Sequence, residues 1–311
     1  MARTTDELLE SIKISGVVPA NQQLLTDLRI LSLCNEEVES KIVPKIQALN
    51  QDYFVTAETV PLVAYQSVVN IPTRAIGRTL RDIKVIDRGG ITRNLKLIQL
   101  ENAELYRYDA EPGSFYFQGD KVILNPAAPY GVTASLVLYY LQRPGRLVPT
   151  SFCSRITGVA TDNETFTTFT VDQVPAGFTS NAVCDFIEGN SGNSTLDKDK
   201  AITDISGAQI TFGVVDPLVK IGDYIAPQYC SPVLQFPEDA FSYLVCLAGV
   251  RCLRALGDVE GAESLGKEIK EKREDFETLL APRISGETIK IVNPNGLLRG
   301  MGRGRGRFFY R

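Results

Sequence analysis

The spacing of apolar residues changes twice along the chain, and no other feature constrains the fold as strongly. Val38, Ile42 and Ile46 recur at intervals of four residues, which places them on one face of a helix. From Tyr53 onward the pattern changes to short β-branched and aromatic runs that are separated by glycine, proline and asparagine turn signals. Helical spacing returns at Pro237. The sequence therefore predicts an α+β fold.

The two helical segments are predicted to pack on each other, because neither can bury its apolar stripe alone. We predict a helical bundle formed by residues 1–52 and 233–286. Residues 53–232 are predicted to form a large antiparallel β insertion, sandwich-like or barrel-like. Its strands follow at short intervals without long helices between them, which argues against a parallel dinucleotide-binding sheet. Residues 287–311 are predicted to form an extended C-terminal arm.

Local signals indicate where the N-terminal helices begin. Thr4 and Glu7 have the spacing of a capping box. Thr26 is predicted to cap the second helix, and Asn35 is predicted to cap a third. Pro44 falls inside the apolar stripe of that third helix, where it removes one backbone hydrogen bond and predicts a kink.

Two helices are predicted in the C-terminal helical segment, with Gly257 as the stop between them and Asp258 as the N-cap of the second. The residues predicted to face inward from the first helix are Phe241, Leu244, Val245, Ala248, Cys252 and Leu256. Those predicted to face inward from the second are Ala262, Leu265, Ile269, Phe276 and Leu279.

Residues 150–230 differ in composition from the rest of the β region. Threonine-rich alternation there predicts twisted strands with one solvated face, in a small barrel or sandwich. The polar stretch 188–200 is predicted to be a mobile loop.

The absence of histidine limits the chemistry available to the chain. It excludes Ser-His-Asp and Cys-His nucleophilic systems and zinc sites built on histidine. The six cysteines form no C-x-x-C pair, so we predict reduced thiols that are mostly buried. We predict no metal, no cofactor and no enzymatic activity. An enzyme that uses paired carboxylates in the β region stays as an alternative.

Charge is distributed unevenly along the chain. The sequence has 33 basic and 37 acidic residues, and no acidic residue follows Glu287, whereas six basic residues do. An acidic body with a basic tail suggests an arm that docks on something negative. The residues predicted to bind a partner are Ile289, Ile291, Arg299, Arg303, Arg305, Arg307, Phe308, Phe309, Tyr310 and Arg311.

The chemistry of this tail, which ends in GRGRGRFFYR, admits two kinds of partner. Glycine lets the backbone follow an irregular surface, arginine offers planar donors, and the aromatic residues offer an anchor for a pocket. One partner is an acidic groove on another protein. The other is nucleic acid whose bases stack on the aromatic rings, so a nucleic-acid-binding protein is the alternative function.

No apolar run approaches the ~20 residues that a membrane-spanning helix needs. The first residues, MARTTDELLESIK, lack the apolar region of a secretory signal. We therefore expect synthesis in the cytosol and no membrane partner.

Several stretches of the chain carry a family resemblance. The N-terminal motifs are Pro19-Ala20-Asn21-Gln22, Thr26-Asp27, Ile30-Leu31, Leu33, Glu36-Glu37 and Ile42-Val43-Pro44. Further stretches are IPTRAIGRTLRDIKVIDRGG, YYLQRPGRLV and LRALGDVEGAESLGKEIKEKREDFETLLAPRI. Over most of its length the chain resembles the head–tail adaptor (connector) proteins of tailed bacteriophages.

This resemblance implies a structural role. Such adaptors form a ring, usually dodecameric, beneath the portal of the DNA-filled head, and their extended C-terminal arms dock on the portal. The implied partners are the portal protein, tail or nozzle proteins, neighbouring adaptor subunits, and packaged DNA that passes through without sequence-specific binding. The implied location is the head–tail junction of the virion. The large β insertion departs from the smallest adaptors, which are nearly all helical.

Overall fold

Helices lie at both ends of the described part of the chain, and strands occupy its middle. The computed structural model describes residues 3–16, 24–87, 89–106, 112–127, 134–162, 165–190 and 194–280. Because helices and mainly antiparallel sheets both contribute, the predicted α+β class is confirmed.

The described α-helices share one apolar core. They are α1 (Thr5–Ser15), α2 (Asp27–Glu37), α3 (Val43–Leu49), α4 (Phe241–Leu256) and α5 (Val259–Leu280). Short 3₁₀ helices lie at Leu100–Tyr106, Thr150–Phe152 and Glu238–Ala240. Buried side chains from all of the α-helices meet in this core, among them Leu8, Ile30, Ile46, Leu244 and Phe276. Helices that are far apart in sequence therefore bury their apolar faces against each other.

The helix ends follow the local signals only in part. The Thr4 side chain accepts a hydrogen bond from the Glu7 backbone N–H at 3.3 Å, so the predicted cap of α1 is confirmed. Thr26 stands at the start of α2 but makes no capping hydrogen bond with its side chain. The cap predicted at Asn35 is wrong, because Asn35 is buried within α2. Its side chain instead accepts from the Leu147 N–H at 2.7 Å and donates to the Leu147 carbonyl at 3.1 Å.

The irregularity predicted at Pro44 takes the form of a π-helical segment, Val38–Ile42, which joins α2 to α3. The Val43 N–H donates to the Val38 carbonyl five residues earlier. Pro44 lies in the first turn of α3, where the absence of an N–H costs least. Val38 and Ile42 are both buried, so the wider turn keeps one apolar face on the core.

Helix α4 is buried on more sides than its predicted stripe. Beyond that stripe, it also buries Tyr243, Cys246, Leu247, Val250 and Leu253. The reason is that α1 and α2 pack on one side of α4 while α5 packs on another.

The junction between α4 and α5 agrees with its sequence signals. Gly257 has φ +82°, the left-handed conformation that ends a helix. Asp258 accepts a hydrogen bond from the Gly261 N–H at 2.8 Å, as an N-cap does. The inward orientation predicted for Leu279 is wrong, since 47% of its surface is exposed near the end of α5.

Two four-stranded sheets form the first part of the β region, and they share one apolar core. The strands that form them are β1 (Val55–Leu62), β2 (Val68–Asn70), β3 (Ala75–Ile86), β4 (Thr92–Asn94), β5 (Lys96–Leu97), β6 (Ser114–Gln118), β7 (Lys121–Asn125) and β8 (Ala134–Gln142). The orders are β1-β8-β3-β4 and β2-β7-β6-β5. Within these two sheets the predicted antiparallel pairing holds except at β5, which lies parallel to β6.

A closed six-stranded barrel forms the second part, in the order β10-β11-β14-β13-β12-β15. Its strands are β10 (Ser154–Asp162), β11 (Thr167–Val171), β12 (Val183–Ile187), β13 (Thr195–Ser206), β14 (Gln209–Phe212) and β15 (Tyr224–Pro227). Two short strands, β9 (Arg146–Leu147) and β16 (Cys230–Ser231), pair in parallel beside it.

The mobile loop predicted over residues 188–200 is wrong at its C-terminal end, where β13 begins at Thr195. Antiparallel pairing with β12 overrides the polar composition of this stretch. Asp199, on β13, belongs to the candidate functional site.

Candidate functional site

A buried arginine joins the first β-sheet to the barrel. Arg74 immediately precedes β3, and only 7% of its surface is exposed. Its guanidinium donates to both carboxylate oxygens of Asp185 on β12, at 2.9 and 2.8 Å. It also donates to Asp199 on β13 at 2.7 Å. This bidentate geometry sets the orientation as well as the distance of the two parts.

Asp185 is the centre of the cluster. It is 1% exposed and, besides Arg74, it accepts hydrogen bonds from the backbone N–H groups of Asp199 at 3.0 Å and Tyr229 at 2.8 Å. A buried carboxylate is tolerated when its charge is paired and its lone pairs are used, and both conditions hold here. We call Arg74, Asp185, Asp199 and Tyr229 the junction cluster.

Two members of the junction cluster have strained backbones. Asp199 has φ +56° and Tyr229 has φ +63°, although neither residue is glycine. Both donate their backbone N–H groups to Asp185, and the Arg74 guanidinium lies 4.3 Å from the centre of the Tyr229 ring. The ion pair therefore holds two left-handed residues in place, a kind of strain that tends to occur at functional positions.

The charges of the cluster reinforce one another. Burial by itself would lower the pKa of Arg74, but its hydrogen bonds to Asp185 and Asp199 raise that pKa above the ordinary value. Burial likewise works against the charged form of Asp199, yet the hydrogen bonds from Arg74 and Gln228 hold the pKa of Asp199 below its ordinary range. Next to them, burial lowers the pKa of Lys198.

A cavity of about 380 Å³ opens beside the junction cluster. We call it the junction cavity. Its walls come from the π segment, the start of β3, the link between β8 and β9, the barrel and the β15–β16 turn. The lining residues are Glu39, Thr73, Arg74, Gln142, Arg143, Pro144, Gly145, Arg146, Asp185, Thr195, Tyr229 and Cys230.

Hydroxyl groups on the cavity wall have hydrogens to donate. Thr195 Oγ1 accepts from the side-chain amides of Gln142 and Gln235, each at 3.1 Å, so its own hydrogen is the group left to donate. The hydroxyls of Thr73 and Tyr229 lie 2.8 Å apart. One of them donates to the other, which leaves one further O–H as a donor.

Two arginines on the wall lack carboxylate partners among the described residues. Arg143 and Arg146 are exposed, and neither forms an ion pair within the described ranges. Glu39, also on the wall, has no cationic partner there either. The chemically available groups are thus two guanidiniums, hydroxyl donors and one carboxylate.

The thiol on the wall is poorly suited to nucleophilic chemistry. Cys230 is partly exposed, but burial and the charge of Asp185 raise its pKa above the ordinary value, against a smaller lowering by Arg146. The thiolate, which is the reactive form, is therefore disfavoured. The junction cavity is therefore suited to binding and positioning a ligand, mainly through its hydrogen-bond donors.

The residues predicted from the tail, Ile289 through Arg311, lie outside the described residues. Reasoning from the sequence missed the junction cluster altogether. A signal was present in VCDFI, where Asp185 interrupts an apolar run that reads as a buried strand. A charge at such a position indicates a buried and paired group. The partner, Arg74, lies 111 residues away and carries no comparable signal.

Within the described ranges, no group of histidine, cysteine, aspartate or glutamate residues has a geometry that could hold a metal ion. None of the helices found there is long and apolar enough to cross a membrane. No protein-family model matches the chain, and none of the curated proteins compared with it matches either.

Proposed function

We propose that this chain is a structural head–tail adaptor of a tailed bacteriophage, which forms a ring beneath the portal and links head to tail. The observation that carries the proposal is the shared helical core. Helices from residues 5–49 and 241–280 bury their apolar faces together. This is the organisation that the resemblance to adaptors implies, with the β region inserted between the two helical segments.

The composition of the chain beyond α5 supports an arm that docks on the portal. Helix α5 ends at Leu280 and is followed by 31 residues that contain the arginine, glycine and aromatic sequence. In the proposal, Ile289 and Ile291 add a strand to a sheet edge of the portal. Arg303, Arg305 and Arg307 bond to acidic groups, and the final aromatic residues fill an apolar pocket.

The charge of the body supports a ring through which DNA passes. Residues 1–287 contain all 37 acidic residues, whereas six of the 33 basic residues follow Glu287. A lumen without excess positive charge binds the DNA phosphates weakly and lets the duplex slide. The β region then provides surface for tail or nozzle proteins and for neighbouring subunits. In this proposal the assembled protein lies at the head–tail junction of the virion.

Co-sedimentation with the portal protein of the same phage tests the proposal. We expect the full chain to bind and to form rings that are visible by electron microscopy. Deleting residues 308–311 should weaken attachment more than changing Arg303 and Arg305 to alanine. Burying each aromatic side chain contributes about 1.5–3 kcal/mol before ordering costs, against about 0–1 kcal/mol for an exposed ion pair.

The same experiment distinguishes the adaptor from the alternative function. If the chain is instead a nucleic-acid-binding protein, loss of the arginines should dominate and binding to DNA or RNA should fall steeply with salt. A chain that lacks residues 300–311 and still assembles normally on the portal would contradict the docking arm. Failure to co-sediment at any salt concentration would contradict the adaptor itself.

A further inference from the structure

We propose that the junction cavity is a binding site for a single carboxylate, carried by an aspartate or glutamate side chain in an extended segment of another protein. The inference rests on the geometry of the cavity and not on the adaptor proposal. Its test can therefore fail while the adaptor proposal holds, and the adaptor test can fail while this one succeeds.

The cavity wall has a surplus of hydrogen-bond donors. Arg143 and Arg146 form no ion pair within the described ranges, and Thr195 has a hydroxyl hydrogen left to donate after accepting from two amides. The Thr73 and Tyr229 pair supplies another O–H. A wall with so many donors is matched by a ligand that only accepts hydrogen bonds, and an ionised carboxylate is such a group.

Charge also favours a single carboxylate. Arg74 pairs with the buried Asp185 and with Asp199, so it contributes rigidity rather than free charge. Among the charged residues that line the cavity, three are arginines (Arg74, Arg143 and Arg146) and two are carboxylates (Glu39 and Asp185), which leaves one positive charge to be balanced. A single carboxylate balances it. A nucleic-acid backbone, which brings many phosphates, would meet repulsion from Glu39.

The segment that carries the two arginines is held rigidly by backbone hydrogen bonds. The Arg143 N–H donates to the Arg74 carbonyl at 2.8 Å, and the Arg146 N–H donates to the Tyr229 carbonyl at 2.7 Å. Between them, the Gly145 N–H donates to Gln235 at 2.6 Å. A side chain at Gly145 would lie about 3.0 Å from both Gln235 and Ser231, so the link packs closely. Little backbone ordering is then required when a ligand binds.

The cavity is small enough to select for a single side chain. A volume of about 380 Å³ lies near the lower end of the range for ligand pockets. It accommodates one acidic side chain and the adjoining backbone, and the Tyr229 ring and Pro144 offer apolar surface to the methylene groups. A short segment of a partner protein fits these dimensions better than a folded surface does.

Cys230 provides a reporter at the site itself. It lines the junction cavity and is partly exposed, whereas the other five cysteines are buried. Iodoacetate and iodoacetamide alkylate a thiolate by the same step: sulfur attacks the methylene carbon, the S–C bond forms and iodide leaves. The two reagents are similar in size, but only iodoacetate carries a carboxylate. The ratio of their rate constants at Cys230 therefore measures attraction of a carboxylate into the cavity.

We expect this ratio to fall about fivefold in the double variant Arg143→Gln/Arg146→Gln of the full chain, the scale of one exposed ion pair. Any change in the pKa of Cys230 affects both reagents equally and cancels in the ratio. Arg254→Gln removes one positive charge from α4, outside the junction cavity, and should leave the ratio unchanged. An equal ratio in the wild type and the double variant would overturn the proposal.

A second measurement uses the unaltered chain, so it does not depend on the folding of any variant. Acetyl-Gly-Glu-Gly-amide at millimolar concentration should slow the alkylation of Cys230 by iodoacetamide, and the matched glutamine peptide should not. Inorganic phosphate at the same concentration serves as the competing oxyanion. Equal protection by the two peptides, or protection by phosphate as strong as that by the glutamate peptide, would refute a carboxylate site.

Discussion

The barrel and the helical core solve the problem of burying apolar surface in different ways. The barrel closes within one continuous stretch, from Ser154 to Pro227, around the rings of Phe169, Phe186 and Phe212, which contact one another in tilted and edge-to-face arrangements. The helical core needs residues 5–49 and 241–280, which are separated by the whole β region. The barrel is therefore built from contacts within one stretch of the chain, whereas the helical core needs contacts that span the whole β region.

Hydrogen bonds between the N-terminal segment and the C-terminal end of the β region help to bring the helices together. The Thr5 N–H donates to the Pro232 carbonyl at 2.9 Å, and the Leu234 N–H donates to the Arg3 carbonyl at 3.1 Å. The junction cluster adds a link between the first sheet and the barrel. The helical core thus depends on contacts that the barrel does not need, and this asymmetry can be tested.

The largest effect is expected from removing one buried ring in each core. Phe276, stacked on Tyr243 with ring centres 5.9 Å apart, and Phe186 in the barrel are both fully buried. Phe276→Ala and Phe186→Ala should each lower the free energy of unfolding by about 3–5 kcal/mol. Hydrogen exchange in mild denaturant should then show faster exchange of α1, α4 and α5 in Phe276→Ala, with the barrel strands still protected.

Phe186→Ala should instead affect both regions, because the helical core relies on the β region. Loss of the Phe186 ring should accelerate hydrogen exchange in the barrel and, because the junction cluster links the two regions, in the helices as well. Equal acceleration of both regions by both variants would mean that the molecule unfolds as one cooperative unit, and the comparison would then fail.

A smaller effect is expected at the link between the regions. Arg74→Met leaves Asp185 buried without its cation and should lower the free energy of unfolding by about 3 kcal/mol in urea titrations. Adding Asp185→Leu should recover much of this loss, because the uncompensated buried charge is then gone. Arg78→Met, which breaks the exposed pair with Asp120, is the matched control and should cost less than about 1 kcal/mol. Additive costs in the double variant would contradict a coupled pair.

The smallest effect is expected from acid. The pKa of Asp199 is held below its ordinary value of 3.8, mainly by hydrogen bonds from Arg74 that overcome the effect of burial. A carboxyl with a lowered folded-state pKa contributes stability that is fully present above the ordinary value and is lost as pH falls through the folded value. Thermal unfolding of Asp199→Asn should therefore depend less on pH below about 4 than that of the wild type.

Asp204→Asn, at an exposed position of the same strand, removes one carboxylate without touching Arg74 and serves as the control. If Asp199→Asn and the wild type lose stability in parallel as the pH is lowered, the ion pair with Arg74 does not stabilise the link between the first sheet and the barrel.

Much of the fold was accessible from the sequence because it depends on neighbours along the chain. The apolar period located the helices and most strands, the side chain of Thr4 located the start of α1, and Gly257 located the end of α4. These signals work because capping and backbone conformation depend on a few adjacent residues.

The candidate site was not accessible in the same way. Its arginines come from the stretches around residues 74 and 143–146, and its carboxylates from two barrel strands. Asn35 illustrates the general reason, which is that distant partners can override a local pattern. Its local pattern is that of a helix cap, but its side chain forms hydrogen bonds with the backbone of Leu147, 112 residues away. The predicted tail residues, by contrast, lie outside the described part, so their role stays a prediction.

By itself, the sequence determined the α+β class, the positions of the helical and strand segments, the thiols without C-x-x-C pairs and the accumulation of arginine after Glu287. Only the tertiary structure decided that residues 154–227 close into a barrel, that Arg74 meets Asp185, and that Arg143 and Arg146 line a cavity with Thr195. The physical reason is the distance along the chain over which each feature is determined. Periodicity and capping are set over a few residues, whereas ion pairing and cavity walls arise from strands and links that meet only once the chain has folded.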